Sequence, residues 1–523
     1  MKTATYIAAS MTLLAGVLTA SAQDWPQWGG NAQRNMYSPA KGLPDKFEPG
    51  KLKSGTEEVD MATTKNVKWV AKLGSQSYGN ATIAQGKVFV GTNNDNPRDP
   101  QHQGDRSVFM CLDEKTGELL WQLVVPKLKS GKVNDWENLG ILSSAKIEGK
   151  YVYLVTSRCE VICLDINGQA DGNDGPFQDE GKYFNKDLGV APAKVGPKDA
   201  DIVWVYDMMD ELGVFPHNAS NSSPLIIGDL VYVCTSNGQD WTHVNVPSPL
   251  SPSFIALNKK TGKLAGEDDA GIGSRLFHGQ WTSLSTGKVN GKDLLFAGGG
   301  DGWLYALNAQ PEKKDDSDFL KTVWKFDANL PEYRKVKYPM AEGPSEINAT
   351  PVFYKNRVYV AVGQDPEHGE GVGRLVCIDP TKTGDITGKG LIWDYKNIHR
   401  SISTVSIDPD TGLLFVGDFS GFVHCLDAET GKVYWTHDMK AHMWGSTMVA
   451  DGKVYVGDED GDLVVLAATK EKKVLSECNL GAPVYSTPVI ANGVLYIASN
   501  THLYALQDTA KAKPVPDQKK KLE

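Results

Sequence analysis

Short runs of alternating apolar and polar residues recur along nearly the whole chain, and most end in glycine, asparagine or aspartate. Runs of this length, rich in Val, Ile, Leu, Tyr and Phe, predict β-strands joined by tight turns. The clearest copy spans residues 401–438: Ser403-Thr-Val-Ser-Ile407, Gly412-Leu-Leu-Phe-Val-Gly417, Asp418-Phe-Ser-Gly421, Phe422-Val-His-Cys-Leu-Asp427, Thr430-Gly431 and Val433-Tyr-Trp435. The β-branched and aromatic positions supply strands, and the Asp-x-x-Gly and Thr-Gly pairs supply turns with positive φ at glycine. Four strands in roughly 40 residues make one propeller blade. The second-strand phrase returns at Val88, Tyr151, Leu230, Leu294, Val358, Leu413, Val454 and Val494, which predicts eight blades.

An outer-strand tryptophan follows at Trp121, Trp204, Trp324, Trp393 and Trp435, and is missing from the third and seventh blades. After Leu503-Tyr-Ala-Leu506 no outer strand remains, whereas Asn66-Val-Lys-Trp69-Val70 stands unpaired before the first blade. The expected fold is therefore all-β: an eight-bladed β-propeller of four-stranded antiparallel blades, closed by an N-terminal strand, with no free sheet edge. In an A-B-C-D meander, the loops between blades and the B-to-C loops share one face, here called the top. Long B-to-C insertions at 93–106, 237–252 and 364–373 are assigned to it, and C-to-D insertions at 166–200 and 309–319 to the bottom.

Composition adds location and excludes some partners. Lys2, an apolar run from Tyr6 to Leu18 and Ala20-Ser21-Ala22 form a signal-peptide pattern, so cleavage after Ala22 and a periplasmic or secreted protein are expected. The organisation is a signal peptide over 1–22, an extension over 23–65, a propeller over 66–508 and a disordered tail over 509–523. No later stretch is long and apolar enough to span a bilayer, and a net charge of −10 disfavours nucleic acid. A monomer is expected. Of the seven cysteines, Cys111, Cys163, Cys377 and Cys425 occupy the slot that alanine fills at Ala256, Ala306 and Ala505, so they read as buried strand residues without an essential disulfide.

The repeat, an aliphatic residue with Ala-Leu-Asp, then Thr-Gly, then Trp, resembles that of the pyrroloquinoline quinone (PQQ)-type propellers over nearly the whole mature chain. The opening Asp24-Trp25-Pro-Gln-Trp28-Gly29 and Tyr37-Ser38-Pro39 are similar to the N-terminal stretch of quinoprotein alcohol dehydrogenases. Phe215-Pro-His-Asn218, His278-Gly-Gln-Trp281 and Gly363-Gln-Asp-Pro-Glu-His-Gly-Glu-Gly371 resemble a group of exported bacterial PQQ-like propellers without a settled activity. The resemblance implies an eight-bladed fold and raises PQQ or a divalent metal as cofactor. It also shows departures: where the dehydrogenases carry an acidic His-Asp-x-Trp-Asp type segment, this chain has His278-Gly279-Gln280-Trp281-Thr282, without a carboxylate to serve as base. It has no adjacent cysteine pair and no Cys-x-x-Cys-His haem motif. The related outer-membrane assembly propeller is a lipoprotein, whereas the residue directly after Ala22 is Gln23 and not cysteine.

Four of the ten histidines, His217, His278, His399 and His442, precede inner strands in nearly the same repeat phase, so ring closure should gather them at the top of the channel. They are candidate metal ligands or proton carriers, or they simply hydrogen-bond a neighbouring blade. Asp365, Glu367, His368 and Glu370 crowd the blade-five insertion, and Glu346 opens the same blade's inner strand. A mixed His and carboxylate set suits iron, manganese or zinc, and a solvated loop is the alternative. Gln280, Trp281, Arg400 and Trp444 are placed at the same rim, to contact a planar cofactor or sugar or to plug the channel. On the bottom, Asp165-x-Asn167-Gly-x-x-Asp171-Gly-Asn173-Asp174-Gly175 is either a calcium loop or an Asx-rich turn. The expected function is binding of a small ligand, metal or quinone-type cofactor in the top funnel. A non-enzymatic scaffold for an exported protein or polymer is the alternative, and a PQQ-dependent alcohol or sugar dehydrogenase ranks third.

Overall fold

In the computed structural model, which describes residues 23–314, 317–368 and 371–508, the chain forms eight antiparallel four-stranded blades. Blade 1 comprises Thr82–Ala84, Lys87–Asn93, Arg106–Asp113 and Leu119–Pro126. Blade 8 joins Val489–Ala491, Val494–Ala498 and His502–Leu506 to Val67–Lys72, whose Trp69 lies opposite Ala505. The ring is thus closed by pairing the two ends of the repeat, as the unpaired first phrase requires. The expected signal peptide and the expected tail from 509 lie outside the described residues.

One register rule repeats around the ring. Trp121, Trp204, Trp324, Trp393, Trp435 and Trp69 lie opposite Cys111, Cys163, Ala306, Cys377, Cys425 and Ala505, and a bulge follows every pair. A small residue is needed there because the indole leaves the strand and leans on the next blade. Its Nε1–H donates to that blade's carbonyls, as in Trp393 to Ala428 and Trp69 to Glu114. The Thr-Gly glycine of the next blade completes the contact: a Cβ on Gly431 or Gly117 would sit 2.7 or 2.6 Å from the indole of Trp393 or Trp69, and both have positive φ. The seven cysteines are free, and six are buried.

The N-terminal extension is the part that sequence phrases left undefined. Residues 23–37 run beneath the ring and bond to every blade: Gln23 O to blade 8 at Asn492, Trp25 to Ile83 of blade 1, and Pro26 O to Ile147 of blade 2. Arg34 donates to Ser223 and Pro224 in blade 3 and to Leu284 in blade 4. Gln33 O accepts from Phe353 in blade 5, Asn35 pairs with Ile407 in blade 6, and Tyr37 lies parallel to Val449 in blade 7. Trp28 rises into the channel, where its Nε1 donates to Thr350 Oγ1. The channel is therefore sealed at the bottom and open at the top.

The C-to-D insertions cover outer edges. The blade-four insertion places Phe319 and Leu320 parallel to Glu267 and Asp268 of blade 3, and Gly384 and Asp385 from blade 5 lie along Trp324 and Lys325 of blade 4. The blade-two insertion bridges Asp199 to Gln122 on blade 1. Its assignment to the bottom needs correction. Tyr183 and Lys186 bond Glu160 at the top-face end of blade 2, because the insertion climbs the outer wall to cover buried polar groups there. Within it, Asp165 accepts from Asn167 N, Asp171 from the Asn167 amide, and Asp174 pairs with Lys150. The oxygen-rich segment engages its carboxylates with Asn167 and Lys150, each of which is shared by two of them. No described helix is long and apolar enough to cross a membrane.

Candidate metal and ligand site

Three loops interlock at the channel mouth. The blade-three insertion enters between the connections leading into blades 3 and 4, pairing Asn237 with Pro216 and Gly238 with Gly279. Gly238 must be glycine, since a Cβ would lie 2.6 Å from His217 Cβ and 2.9 Å from His278 O. This tight crossing brings two buried imidazoles together, with His217 Nε2 and His278 Nε2 2.7 Å apart.

Their other nitrogens are committed. His217 Nδ1 donates to the Gln239 carbonyl at 2.6 Å, and His278 Nδ1 to Asp365 Oδ2 at 2.8 Å. Both acceptors lack a proton to give, so each Nε2 of a neutral pair carries a lone pair. Two lone pairs at this distance repel unless a proton or a cation lies between them. Burial, reinforced by His278, pushes His217 down to about 4, which leaves it neutral at pH 7.

His243, on the blade-three insertion, brings a third imidazole, with ligand atoms of His217, His243 and His278 within 4.8 Å of one another. Burial also lowers His243. Asp365 backs this trio. Its Oδ2 accepts from His278, His368 and Tyr338, and its backbone N–H donates to Glu346 Oε1 at 2.8 Å. Burial alone would raise the Asp365 carboxyl, but the hydrogen bonds it accepts from His278 and His368 hold it well below the usual carboxylate range. Burial, with Asp365 adjacent, pushes Glu346 well above its usual range. Glu346 is thus the neutral neighbour and Asp365 the anion. A histidine whose second nitrogen bonds a carboxylate or carbonyl is the usual arrangement of a metal ligand, because that bond fixes the ring and raises its basicity.

Beside the trio opens a cavity of about 380 Å³. Trp28 forms its floor; Tyr78, Trp136, Trp281, Trp444 and Tyr485 supply aromatic walls, between Asn, Ser and Thr side chains from several blades. Tyr78 stacks on Tyr485 with ring centres 4.7 Å apart. His278, Asp365 and Glu367 also border the space, so the histidine cluster and the cavity share a wall.

The expected histidine ring needs correction. His217 and His278 meet, joined by Asp365 and His368 from blade five, but His399 and His442 stay apart. His399 is half exposed and pairs with Asp418, which also holds His424, while His442 donates to Phe419 O and stacks on that ring. Blades 6 and 7 lack the insertion that draws loops together over blades 3 to 5. Three rim assignments also change. Gln280 is fully buried and holds Gly298 and Gly300 of blade 4. Arg400 is buried, with its guanidinium on the carbonyls of Asp365 and Pro366 and over the Phe419 ring. Glu346 supports Asp365 from behind and does not reach the cavity. Trp281 and Trp444 do line it, and Glu370 lies outside the described residues. His243 was visible only as a histidine in a top-face insertion; no spacing ties it to His217.

The family model described as outer membrane protein assembly factor BamB matches residues 337–437, 389–474 and 420–515. The sequence is also similar to polyvinylalcohol dehydrogenase of Sphingopyxis sp., at 21% identity over 67% of this chain and 54% of that one. The fold matches quinohemoprotein alcohol dehydrogenase of Comamonas testosteroni with a TM-score of 0.59, 12% identity and coverage of 94% and 82% of the two chains. The fold is that of the PQQ-like eight-bladed propellers. A further relative of this PQQ-like propeller, 1-butanol dehydrogenase (cytochrome c) of Thauera butanivorans, is 29% identical over 24% of this chain and 21% of that one. The matches thus span about a fifth and about half of the two curated dehydrogenases.

The cavity does not suit PQQ itself. PQQ is a planar polycarboxylate, and among the described lining residues there is neither lysine nor arginine, while Asp365 and Glu367 face the space. Arg400, the nearest guanidinium by sequence, is turned to backbone carbonyls. An uncharged guest avoids this repulsion.

Proposed function

We propose that this PQQ-like propeller is an exported binding protein that holds a divalent transition metal on His217, His243 and His278 and takes an uncharged, ring-bearing small molecule into the adjoining cavity. The observation that carries the reading is the pair of facing Nε2 atoms whose rings already donate their Nδ1–H groups to Gln239 O and Asp365. A cation removes that repulsion, and imidazole is a preferred ligand for zinc and copper. With metal–nitrogen bonds of about 2.0–2.1 Å, tetrahedral ligands lie roughly 3.3 Å apart, so the rings need to open by only about half an ångström. Aromatic walls among neutral amides and hydroxyls suit the faces and edges of a sugar or an aromatic ring. Export is supported by the N-terminal charge, apolar run and Ala-x-Ala motif, and by the outer-membrane description of the matching family model.

The test is calorimetric titration of the chelator-stripped full chain with Zn2+ and with Cu2+. One saturable mouth site, lost in His217→Ala/His278→Ala, is expected. Binding unchanged in that variant would overturn the assignment.

A scaffold reading has one observation in its favour: Trp241, Val244 and Leu250 on the blade-three insertion are 55%, 75% and 95% exposed beside the mouth. Apolar side chains grouped on a rim suit contact with another macromolecule. Metal-free protein that shows no affinity for either ion would leave this reading ahead.

A further inference from the structure

A second cluster lies on the outer wall, away from the channel. His102, in the blade-one insertion, is wholly buried, and neither ring nitrogen has a hydrogen-bond partner among the described residues. Ligand atoms of Asp99, His102 and Asp199 lie within 4.8 Å of one another. Asp99 belongs to the same loop, whereas Asp199 comes from the far end of the blade-two insertion.

The surroundings explain why these groups face each other. Gln101 exchanges two hydrogen bonds with Lys194, and Arg106 donates to Phe184 O, so the two insertions are already laid side by side. The His102 ring meets Phe184 edge-on, with ring centres 5.9 Å apart, which fixes its plane. Asp99 receives Gln101 N and Nε2, and Asp199 receives Gly196 N at 2.7 Å. These bonds orient the carboxylates without neutralising them, and neither has an ion-pair partner among the described residues. Arg106, the neighbouring cation, spends its guanidinium on Gln103 O, Phe184 O and Asn185. The pocket therefore holds two anionic groups and a buried imidazole with nothing to bond.

We propose that Asp99, His102 and Asp199 bind a divalent cation of the zinc, manganese or iron class, and that the ion staples the blade-two insertion to blade 1. One imidazole with two carboxylates is a donor set these ions accept, and an open fourth position is left for solvent. An ion there satisfies the orphaned ring and offsets both carboxylates in one step. Because its ligands come from separate insertions, it closes a long loop, and its effect should appear as reduced opening of residues 176–199. The cluster shares no residue with the channel mouth, so the two sites stand or fall separately.

The experiment uses the full chain with the mouth disabled by His217→Ala/His278→Ala. After chelation, Zn2+ is added, bound metal is counted by elemental analysis, affinity is measured by calorimetry, and hydrogen exchange is followed over residues 176–199. One retained zinc is expected, with exchange slowed in that segment. Asp99→Asn, on the loop surface, should weaken binding about tenfold or more and abolish the slowing; Asp199→Asn should do the same from the other side. Absence of zinc in the mouth-disabled chain, or zinc held equally well by both Asn variants, would overturn the proposal. An unmutated chain that holds a single zinc, lost in Asp99→Asn and kept in His217→Ala/His278→Ala, would leave this site standing while removing the other.

Discussion

At the floor of the channel a buried cation is fully paired with backbone carbonyls, whereas at the mouth two buried imidazoles face one another. Arg34, fully buried, gives its guanidinium to four carbonyls, from Trp28, Ser223, Pro224 and Leu284, and so ties the N-terminal segment to two blades. His217 and His278, equally buried, present nitrogens to each other. The two ends sit on the same repeat. What separates them is the source of the covering segment: one continuous strand below, which can satisfy each blade in turn, and insertions from separate blades above, which converge on one point. A buried polar group without a partner costs free energy, and the facing imidazoles at the mouth are therefore where the proposed metal would supply the missing interaction.

The comparison can be broken most severely at the floor. Arg34→Ala strands four buried carbonyls and should lower the unfolding free energy by about 3 kcal/mol or more, read from denaturant midpoints; a shift below about 1 kcal/mol would mean that water replaces the guanidinium and that the seal is loose. At the mouth the large effect should fall on binding. Asp365→Asn removes the charge behind His278 and should weaken Zn2+ or Cu2+ by about 10–100-fold, measured by calorimetry, with the mouth otherwise intact.

Two turns on the top face sharpen the contrast further. Asp418 and Asp458 occupy the same Asp-x-x-Gly position in blades 6 and 7. Burial opposes ionisation of both, but hydrogen bonds and charge from His424 hold Asp418 below its ordinary value. Burial pushes Asp458, whose Oδ2 has no partner among the described residues, up to about 6. An unfolded aspartate releases its proton near pH 3.9, so between pH 4 and 6 the folded chain still holds a proton that the unfolded chain has lost. Stability from this group therefore falls as pH rises through that window. Asp458→Asn should gain about 1 kcal/mol above pH 6 and nothing below pH 4, in unfolding curves taken at both. Asp418→Asn should instead lose stability above pH 4. The smallest effect is expected for His243→Ala: the residue is exposed, so its loss should change stability by no more than about 0.5 kcal/mol while metal binding at the mouth weakens.

The ring, its eight blades and the closing strand at Trp69 were legible because each blade is written in local phrases. Strand periodicity, turn glycines and the small residue opposite each indole are all constraints between neighbours in sequence, and they repeat. The same regularity misled at the site. Shared repeat phase grouped His217, His278, His399 and His442, but phase sets only where a loop begins, and the direction of each ring depends on what packs beside it. His399 and His442 found partners within their own surroundings, at Asp418 and Phe419. The side chains that do meet His278, His243 and Asp365, arrive on insertions that have no periodic pattern.

By itself, then, the sequence determined the propeller, its closure and the buried slots for cysteine and tryptophan. Only the tertiary structure decided that residues 23–37 seal the floor, that the blade-two insertion climbs the outer wall to His102, and which imidazoles share a centre. The reason is one of range: blade architecture follows from hydrogen bonds and packing among residues a few positions apart, while both histidine clusters are made by irregular loops whose relative positions exist only once the circle is complete.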